Sequence, residues 1–490
     1  MSVKQTGDVG RDPGNSAAGA MADDLLQKAS MAAAVFQQFD QEQTDDIVAR
    51  VCRAGFDQRV ALAKMACAET GLGVWEHKVI KNVIATQFVH ESIRREKTVG
   101  VLSKDEVSGI TEIAQPLGPV LAVIPVTNPT STVLFKILIC LKTRNPIIVS
   151  PTRKALKCCA ETARICYEAA VAAGAPEDCI QCLPEASREL THAVMSHRQL
   201  ALILATGGTG LVGAAYSSGT PAIGVGPGNV PVLIDISADV PFAVENVILS
   251  KTFDNGTICA SEQAIVVEQA LSERVRAEFE RQRCHFLTPD EIARVQAVAV
   301  LPDTGAMNPA VVGQSAMKIA EMAGIAPPAG TRILLAKLDG AGKDYPLSGE
   351  VLAPVLAYYE AADFDSAVKR CIDLNYLGGV GHTAAIYAND DRRIALYSEL
   401  MNAGRVLVNT PSAHGAVGGT YNTLVPSLTL GCGAGGKNIT TENVTAHHLI
   451  NVKRSCRRRH NERLARFDVS RYLDETQDMD AILSQYNRNY

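Results

Sequence analysis

Of the 13 cysteines in the chain, one stands in a setting unlike a core thiol. Cys259 lies in Lys251-Thr-Phe-Asp-Asn-Gly-Thr-Ile-Cys-Ala-Ser-Glu-Gln263, flanked by small and polar residues just before a strand of β-branched residues. The thiolate is the reactive form, and a free thiol with a pKa near ~8.5 is only slightly ionised at neutral pH. A nucleophile here therefore needs an electropositive setting or amide donors, which the turn around Ile258 to Ala260 can offer. The alternative reading of the same residues is a structural thiol.

Three loops carry groups that can act with such a sulfur. Pro125-Val-Thr-Asn-Pro-Thr-Ser-Thr132 is a polar loop after an apolar run, and Pro129 restricts the backbone of Asn128. The Asn128 carboxamide can donate to an oxyanion or cap the following helix. Ala205-Thr-Gly-Gly-Thr-Gly-Leu-Val212 is a glycine-rich turn where backbone can approach a phosphate at a helix N-terminus, although its spacing is not G-x-G-x-x-G. Gly224-Val-Gly-Pro-Gly-Asn-Val-Pro-Val-Leu-Ile234 is a rigid glycine loop leading into a strand. The CxxC pair Cys179-Ile-Gln-Cys182 has no second pair and no His pair nearby in sequence, so no metal site is expected.

These loops need a frame. Helical periodicity runs from Asp23 to about Phe39 and returns in segments to about Arg95. Short apolar runs then alternate with helix-like sequence: Gly118 to Pro125, Pro146 to Ser150, Cys179 to Leu183 and Leu200 to Ala205. Strands apolar throughout, separated by helices, predict a parallel sheet covered on both faces. Ligands bind beyond the carboxyl ends of such strands, which points to the loops after Ile124, Val149 and Ala205. A second α/β region is expected from near Pro231-Val-Leu-Ile234 to about Pro426.

Composition narrows the function classes. Lys plus Arg total 47 against 52 Asp plus Glu, a net charge of -5, which argues against a nucleic-acid partner. No apolar run reaches the roughly 18 residues of a membrane span, so no membrane association is expected. Residues 1–22 read as a disordered leader rather than a secretory signal. Scattered cysteines, odd in number, point to a reducing, cytoplasmic setting.

Taken together and in this order, the segments resemble the aldehyde dehydrogenase family. Within it they are most similar to the CoA-acylating branch, as in the aldehyde dehydrogenase half of bifunctional aldehyde–alcohol dehydrogenases. The likeness runs from about Asp23 to Val452. It includes Gly71-Leu-Gly73, Lys78-Val-Ile-Lys-Asn82, Thr127-Asn-Pro-Thr-Ser131, Lys142-Thr-Arg-Asn145, Ser218-Gly-Thr-Pro-Ala-Ile-Gly224 and Thr252 to Glu262. The alcohol dehydrogenase half is not expected, since the chain ends soon after the match.

The resemblance implies an α/β fold with a Rossmann-type cofactor domain, a second α/β catalytic domain and an oligomerisation strand. The expected boundaries are 23–234 for the dinucleotide-binding domain, with an oligomerisation hairpin near 105–117, and 235–430 for the catalytic domain. A return segment and oligomerisation strand follow over 431–455, then a basic extension over 456–490. Cys259 becomes the expected nucleophile, with Asn128 and the backbone N–H of Cys259 as oxyanion donors. Thr127, Ser150, Gly207, Gly208, Thr209, Gly210, Gly226 and Glu350 become the expected cofactor-binding residues, Glu350 holding the nicotinamide ribose. His382, in Gly379-Val-Gly-His-Thr383, lines the active site or hydrogen-bonds its own loop.

The implied cofactor is NAD, with NADP kept open because Arg153 or Lys154 can meet a 2′-phosphate; CoA is the implied co-substrate. The implied partners are a short aldehyde and its acyl-CoA, and the implied assembly a homodimer or homotetramer. One absence matters as well: hydrolytic members carry a water-activating glutamate in the loop corresponding to Gly224 to Gly228, where this chain has none. A missing base slows hydrolysis of a thioester, typically by about 10²–10⁴-fold, and leaves the more easily ionised CoA thiol as acceptor. An acyl-phosphate reductase of the same fold and a non-catalytic scaffold subunit are the alternatives.

Overall fold

The computed structural model describes residues 17–458 and 469–488. Three sheets organise them. Strands β1 (Gly100–Asp105) and β2 (Ile110–Pro116) form a hairpin, and β3 (Val120–Val123), β4 (Ile147–Ser150), β5 (Ile180–Cys182), β6 (Leu202–Thr206) and β7 (Ala222–Val225) follow. The second half contains β8 (Val230–Ile234), β9 (Glu262–Glu268), β10 (Cys284–Phe286), β11 (Ile333–Lys337), β12 (Val355–Ala361), β13 (Ala384–Tyr387), β14 (Val406–Val408) and β15 (Ile450–Cys456).

The first core sheet has five parallel strands in the order β5-β4-β3-β6-β7. Alternation along a strand shows why each must be apolar throughout. Val120 and Ala122 of β3 join one buried cluster, with the helices Gln41–Asp57, Pro129–Lys142 and Leu156–Ala172. Leu121 and Val123 join another, beneath the helix Ala17–Phe36. The second sheet has seven parallel strands, β10-β11-β12-β9-β8-β13-β14, and divides its residues in the same way: Val266 and Val232 face opposite clusters. The third sheet, β1-β2-β15, is antiparallel, and β15 reaches back to β2 across most of the chain.

The strand order reverses beside β3: the chain moves outward through β4 and β5, then returns to place β6 on the other flank. That switch point is where open α/β sheets bind ligands. It brings the Asn128 loop, after β3, and the Gly207 to Gly210 loop, after β6, to one edge. Lys136 pins this edge from below, its Nζ donating to Val123 O and Leu204 O, both at 2.8 Å. Burial pushes its ammonium down to about 7.

Some expected boundaries move. β8 pairs with β9 and β13, so the strand assigned to the end of the first domain belongs to the second sheet. The strand is apolar on both faces in either sheet, so its composition carries no sign of its partners. The hairpin expected near 105–117 spans 100–116, and the strand that ends the return segment expected over 431–455 covers 450–456. A helix is already formed at Ala17, inside the expected leader, because Ala22, Leu25 and Leu26 pack on the sheet. The rest of that leader, and Arg459, Arg463 and Arg466 of the basic extension, lie outside the described residues.

All 14 residues of the helix Pro129–Lys142 are buried. Truncating Leu138→Ala at its centre is expected to cost about 2–5 kcal/mol, read as a lower urea midpoint; an unchanged midpoint would contradict this packing.

Candidate active site

The Cys259 loop begins with a reversal of backbone hand. After the helix Val240–Thr252, Asp254 (φ 51°), Asn255 (φ 53°) and Gly256 (φ 71°) are all left-handed. Asp, Asn and Gly are the residue types that enter this region most readily. Their polar groups then pay for the turn. Asp254 Oδ1 accepts from Val74 N at 2.7 Å, Asp254 N donates to His77 Nδ1 at 2.8 Å, and Asn255 Nδ2 donates to Gly313 O at 2.8 Å.

Asp254 is fully buried, as are the two lysines that meet it. Its Oδ2 accepts from Lys78 Nζ at 2.9 Å, from Lys81 Nζ, and from Thr257 Oγ1 at 2.8 Å. The two ammonium groups hold the Asp254 carboxyl below the usual range although burial opposes them. Lys78 also donates to Thr127 O at 3.1 Å, and Lys81 to Asn128 Oδ1 at 2.5 Å. This cluster therefore ties the Cys259 loop to the Asn128 loop.

Asn128 sits at the N-terminus of the helix Pro129–Lys142, yet its side chain makes no capping bond. Its Oδ1 faces Lys81 and its Nδ2 donates to Thr127 Oγ1 at 3.1 Å. Of the two sequence readings for Asn128, the helix cap is the one the structure does not form.

For Cys259 the sequence asks for an electropositive setting or amide donors, and both are present beside opposing influences. Burial pushes the thiol up to about 12, and the neighbouring Glu350 carboxylate and Cys432 add to the push. The Arg405 guanidinium and Cys259's own backbone amide act in the opposite sense. The residue as a whole is still partly exposed.

Glu350 reaches the same place from the far side. Its Oε1 accepts from Gly228 N at 3.0 Å. Its loop is pinned to the strand after Cys259: Gln263 Oε1 accepts from Val351 N and from Lys251 Nζ, both at 3.0 Å. Burial pushes the Glu350 carboxyl up to about 7. A Cβ at Gly228 would lie 2.4 Å from Cys259 O and 3.1 Å from His382 Cγ, so no side chain fits there. That contact also places His382 beside the Cys259 loop. Its Nδ1 pairs with Thr383 Oγ1 at 2.9 Å, its Nε2 is buried without a partner among the described residues, and burial pushes the ring down to about 3. His382 is thus a neutral imidazole, both lining this region and bonded within its own loop.

The remaining expected residues are more dispersed. Gly208 precedes the helix Thr209–Ser217 without a side-chain cap, and a Cβ on Gly208, Gly210 or Gly226 would meet open space. Ser150, at the end of β4, is buried with its hydroxyl 3.1 Å from Thr191 Oγ1; Arg153 and Lys154 beyond it are exposed. Cys179 and Cys182 are free thiols. Glu442, His447 and His448 converge, and His448 Nδ1 accepts from Thr445 N at 3.1 Å.

Sequence reading missed Lys78, Lys81, Asp254 and Arg405 as site residues. The available signal was two lysines three positions apart on a helix and an Asp-Asn-Gly turn, neither of which announces burial.

The aldehyde dehydrogenase family model matches residues 13–296. The chain is 46% identical over 441 residues to the bifunctional aldehyde-alcohol dehydrogenase AdhE of Escherichia coli (strain K12), covering 89% of this chain and 49% of that protein. It therefore spans about half the length of such curated relatives. It is 35% identical to the succinate-semialdehyde dehydrogenase (acetylating) of Clostridium kluyveri, covering 88% of this chain and 94% of that protein. A solved acetylating aldehyde dehydrogenase from Geobacillus thermoglucosidasius matches with a TM-score of 0.88 and 45% identity, over 90% of this chain and 97% of that chain.

Removing the charge that opposes the thiolate should make the sulfur more reactive. In Glu350→Gln, alkylation of Cys259 by iodoacetamide at pH 8 is expected to quicken about three- to tenfold, the effect of half to one pKa unit. Peptide mass spectrometry reads the rate, and an unchanged rate would separate Glu350 from the sulfur.

Proposed function

Because the chain belongs to the aldehyde dehydrogenase family, we propose that it is a CoA-acylating member, interconverting a short aldehyde and its acyl-CoA with NAD(P). The observation that carries this reading is the wall against Cys259. The glycine loop Gly224 to Gly228 holds no carboxylate, and at Gly228 there is no room for any side chain. Water beside an acylated Cys259 finds no base in that loop, whereas a CoA thiol needs less help because it ionises more readily.

In this reading the partly exposed Cys259 gives its thiol proton to solvent, and the thiolate Sγ adds to the aldehyde carbonyl. Asn128 Nδ2 and the Cys259 backbone N–H donate to the oxygen as it becomes negative. The open glycines at 208, 210 and 226 and the uncapped start of the helix Thr209–Ser217 suit a dinucleotide pyrophosphate. Thr127 and Ser150 lie on the same binding edge, and Glu350 would hold the nicotinamide ribose. The bound nicotinamide supplies the hydride acceptor. The chain's own part is to hold the resulting thioester on Cys259 until CoA takes the acyl group. His382, neutral and adjacent, shapes the pocket without adding charge.

NAD is the cofactor of this reading, and NADP is compared with it because Arg153 and Lys154 are exposed just beyond β4. A homodimer or homotetramer is part of it as well, supported by the exposed strand β15. So is a cytoplasmic location, supported by 13 free thiols. No helix among the described residues is long and apolar enough to cross a membrane.

The test is an assay of NADH or NADPH formation with short aldehydes and CoA, repeated on Cys259→Ala. The wild type is expected to need CoA for turnover, to accumulate a Cys259 thioester by mass spectrometry when CoA is withheld, and to lose activity in the variant. Rapid release of free carboxylic acid without CoA would make it a hydrolytic enzyme. Turnover with phosphate in place of CoA would make it an acyl-phosphate reductase.

A further inference from the structure

We propose that Lys81 is a positioning residue: it sets the orientation of the Asn128 carboxamide, so that Asn128 presents an N–H and not an oxygen to the reacting carbonyl. The inference rests on the proposed acylation of Cys259 and names a part of that site which the reaction scheme leaves unassigned.

An ammonium group has three hydrogens and no acceptor. Lys81 Nζ meets three oxygens: Asn128 Oδ1 at 2.5 Å, Thr257 Oγ1 at 2.9 Å, and Asp254 Oδ2. All three hydrogens are engaged. Each partner is in turn constrained. Thr257 Oγ1 sends its own hydrogen to Asp254, so towards Lys81 it can only accept. Asp254 cannot shift, because Val74 N and Lys78 Nζ hold its two oxygens.

The consequence falls on Asn128. A carboxamide turned by 180° has nearly the same shape but exchanges an acceptor for donors. With Lys81 facing it, only Oδ1 can occupy the inner position. Nδ2 then points the other way, spends one hydrogen on Thr127 Oγ1 at 3.1 Å, and keeps the second. Without the cation, the flipped amide would set an oxygen against a developing negative charge. The lysine that makes this choice also grips Thr257, two residues before the nucleophile, so donor and sulfur are referred to one fixed point.

The experiment is a double-mutant cycle on the full chain with two readouts. The first is the burst of p-nitrophenolate as p-nitrophenyl acetate acylates Cys259, which needs the sulfur and the oxyanion donor but no nucleotide or CoA. The second is aldehyde oxidation with NAD and CoA. Lys81→Met and Asn128→Ala are each expected to slow the burst by about 10²–10³-fold, as for one lost oxyanion donor, with little change in the ester concentration at half-maximal rate. The double variant should be no slower than Asn128→Ala alone, within about threefold, because the lysine acts through the amide. Lys81→Met still leaves Asp254 paired with Lys78, so its thermal midpoint and far-ultraviolet circular dichroism are read beside the burst, and loss of the burst with the fold retained is the expected result. A wild-type burst in Lys81→Met, or a full second loss on top of Asn128→Ala, overturns the proposal. If the cycle behaves as expected but no aldehyde is oxidised, the reaction class fails and the role of Lys81 stands. If wild-type Cys259 takes no acyl group from ester or aldehyde, both fall.

Discussion

Asp254 is a negative charge removed from water, and the candidate site is arranged around keeping it there. Removing one partner from a buried ion pair costs about 3–5 kcal/mol, so the carboxylate, Lys78 and Lys81 hold one another in place. Each lysine then extends past the carboxylate to a second loop, at Thr127 O or at Asn128 Oδ1. The same carboxylate supports a left-handed turn whose non-glycine residues would otherwise cost about 1–2 kcal/mol each. Loops from three parts of the chain thus share one electrostatic anchor, and the sulfur lies five residues beyond it.

The two parallel sheets supply what the anchor cannot. Strand order places the Asn128 and Gly207 to Gly210 loops on one edge of the first sheet, and Lys136 bonds the two strands from which they emerge. The second sheet brings up Cys259 just before β9 and Glu350 just before β12, neighbouring strands in that sheet. Gly228 stands between them, its N–H on Glu350 and its α-carbon against Cys259 O. Rigid strands therefore fix the distances, while buried charges fix the orientations.

Much of this was legible in the sequence. Runs such as Val120 to Ile124 and Ile147 to Val149 show parallel strands because both faces must be apolar, and Cys259 stood out by its polar neighbours. Asn128 stood out by its place between a strand end and Pro129, and the family resemblance then named Glu350. What could not be read is what depends on partners distant in the chain. β8 looks the same whichever sheet receives it. Lys78 and Lys81 look like solvent-facing charges until Asp254 is brought to them. The ionisation of Cys259 depends on Glu350 and Arg405, neither near it in sequence. Asn128 before a helix reads equally as a cap, and nothing near it in sequence shows that its Oδ1 meets a buried ammonium and makes no capping bond.

The small antiparallel sheet carries a different consequence, for the order in which the molecule is made. Arg454 of β15 bonds Glu112 of β2, 342 residues away in sequence. At ribosomal rates of about 5–20 residues per second, β2 waits for tens of seconds with one edge bare before its partner emerges. Unpaired strand edges recruit other chains, so nascent copies are most vulnerable to mispairing in that interval. Demand for chaperones during synthesis should therefore be set by this late closure more than by the stability of the finished fold.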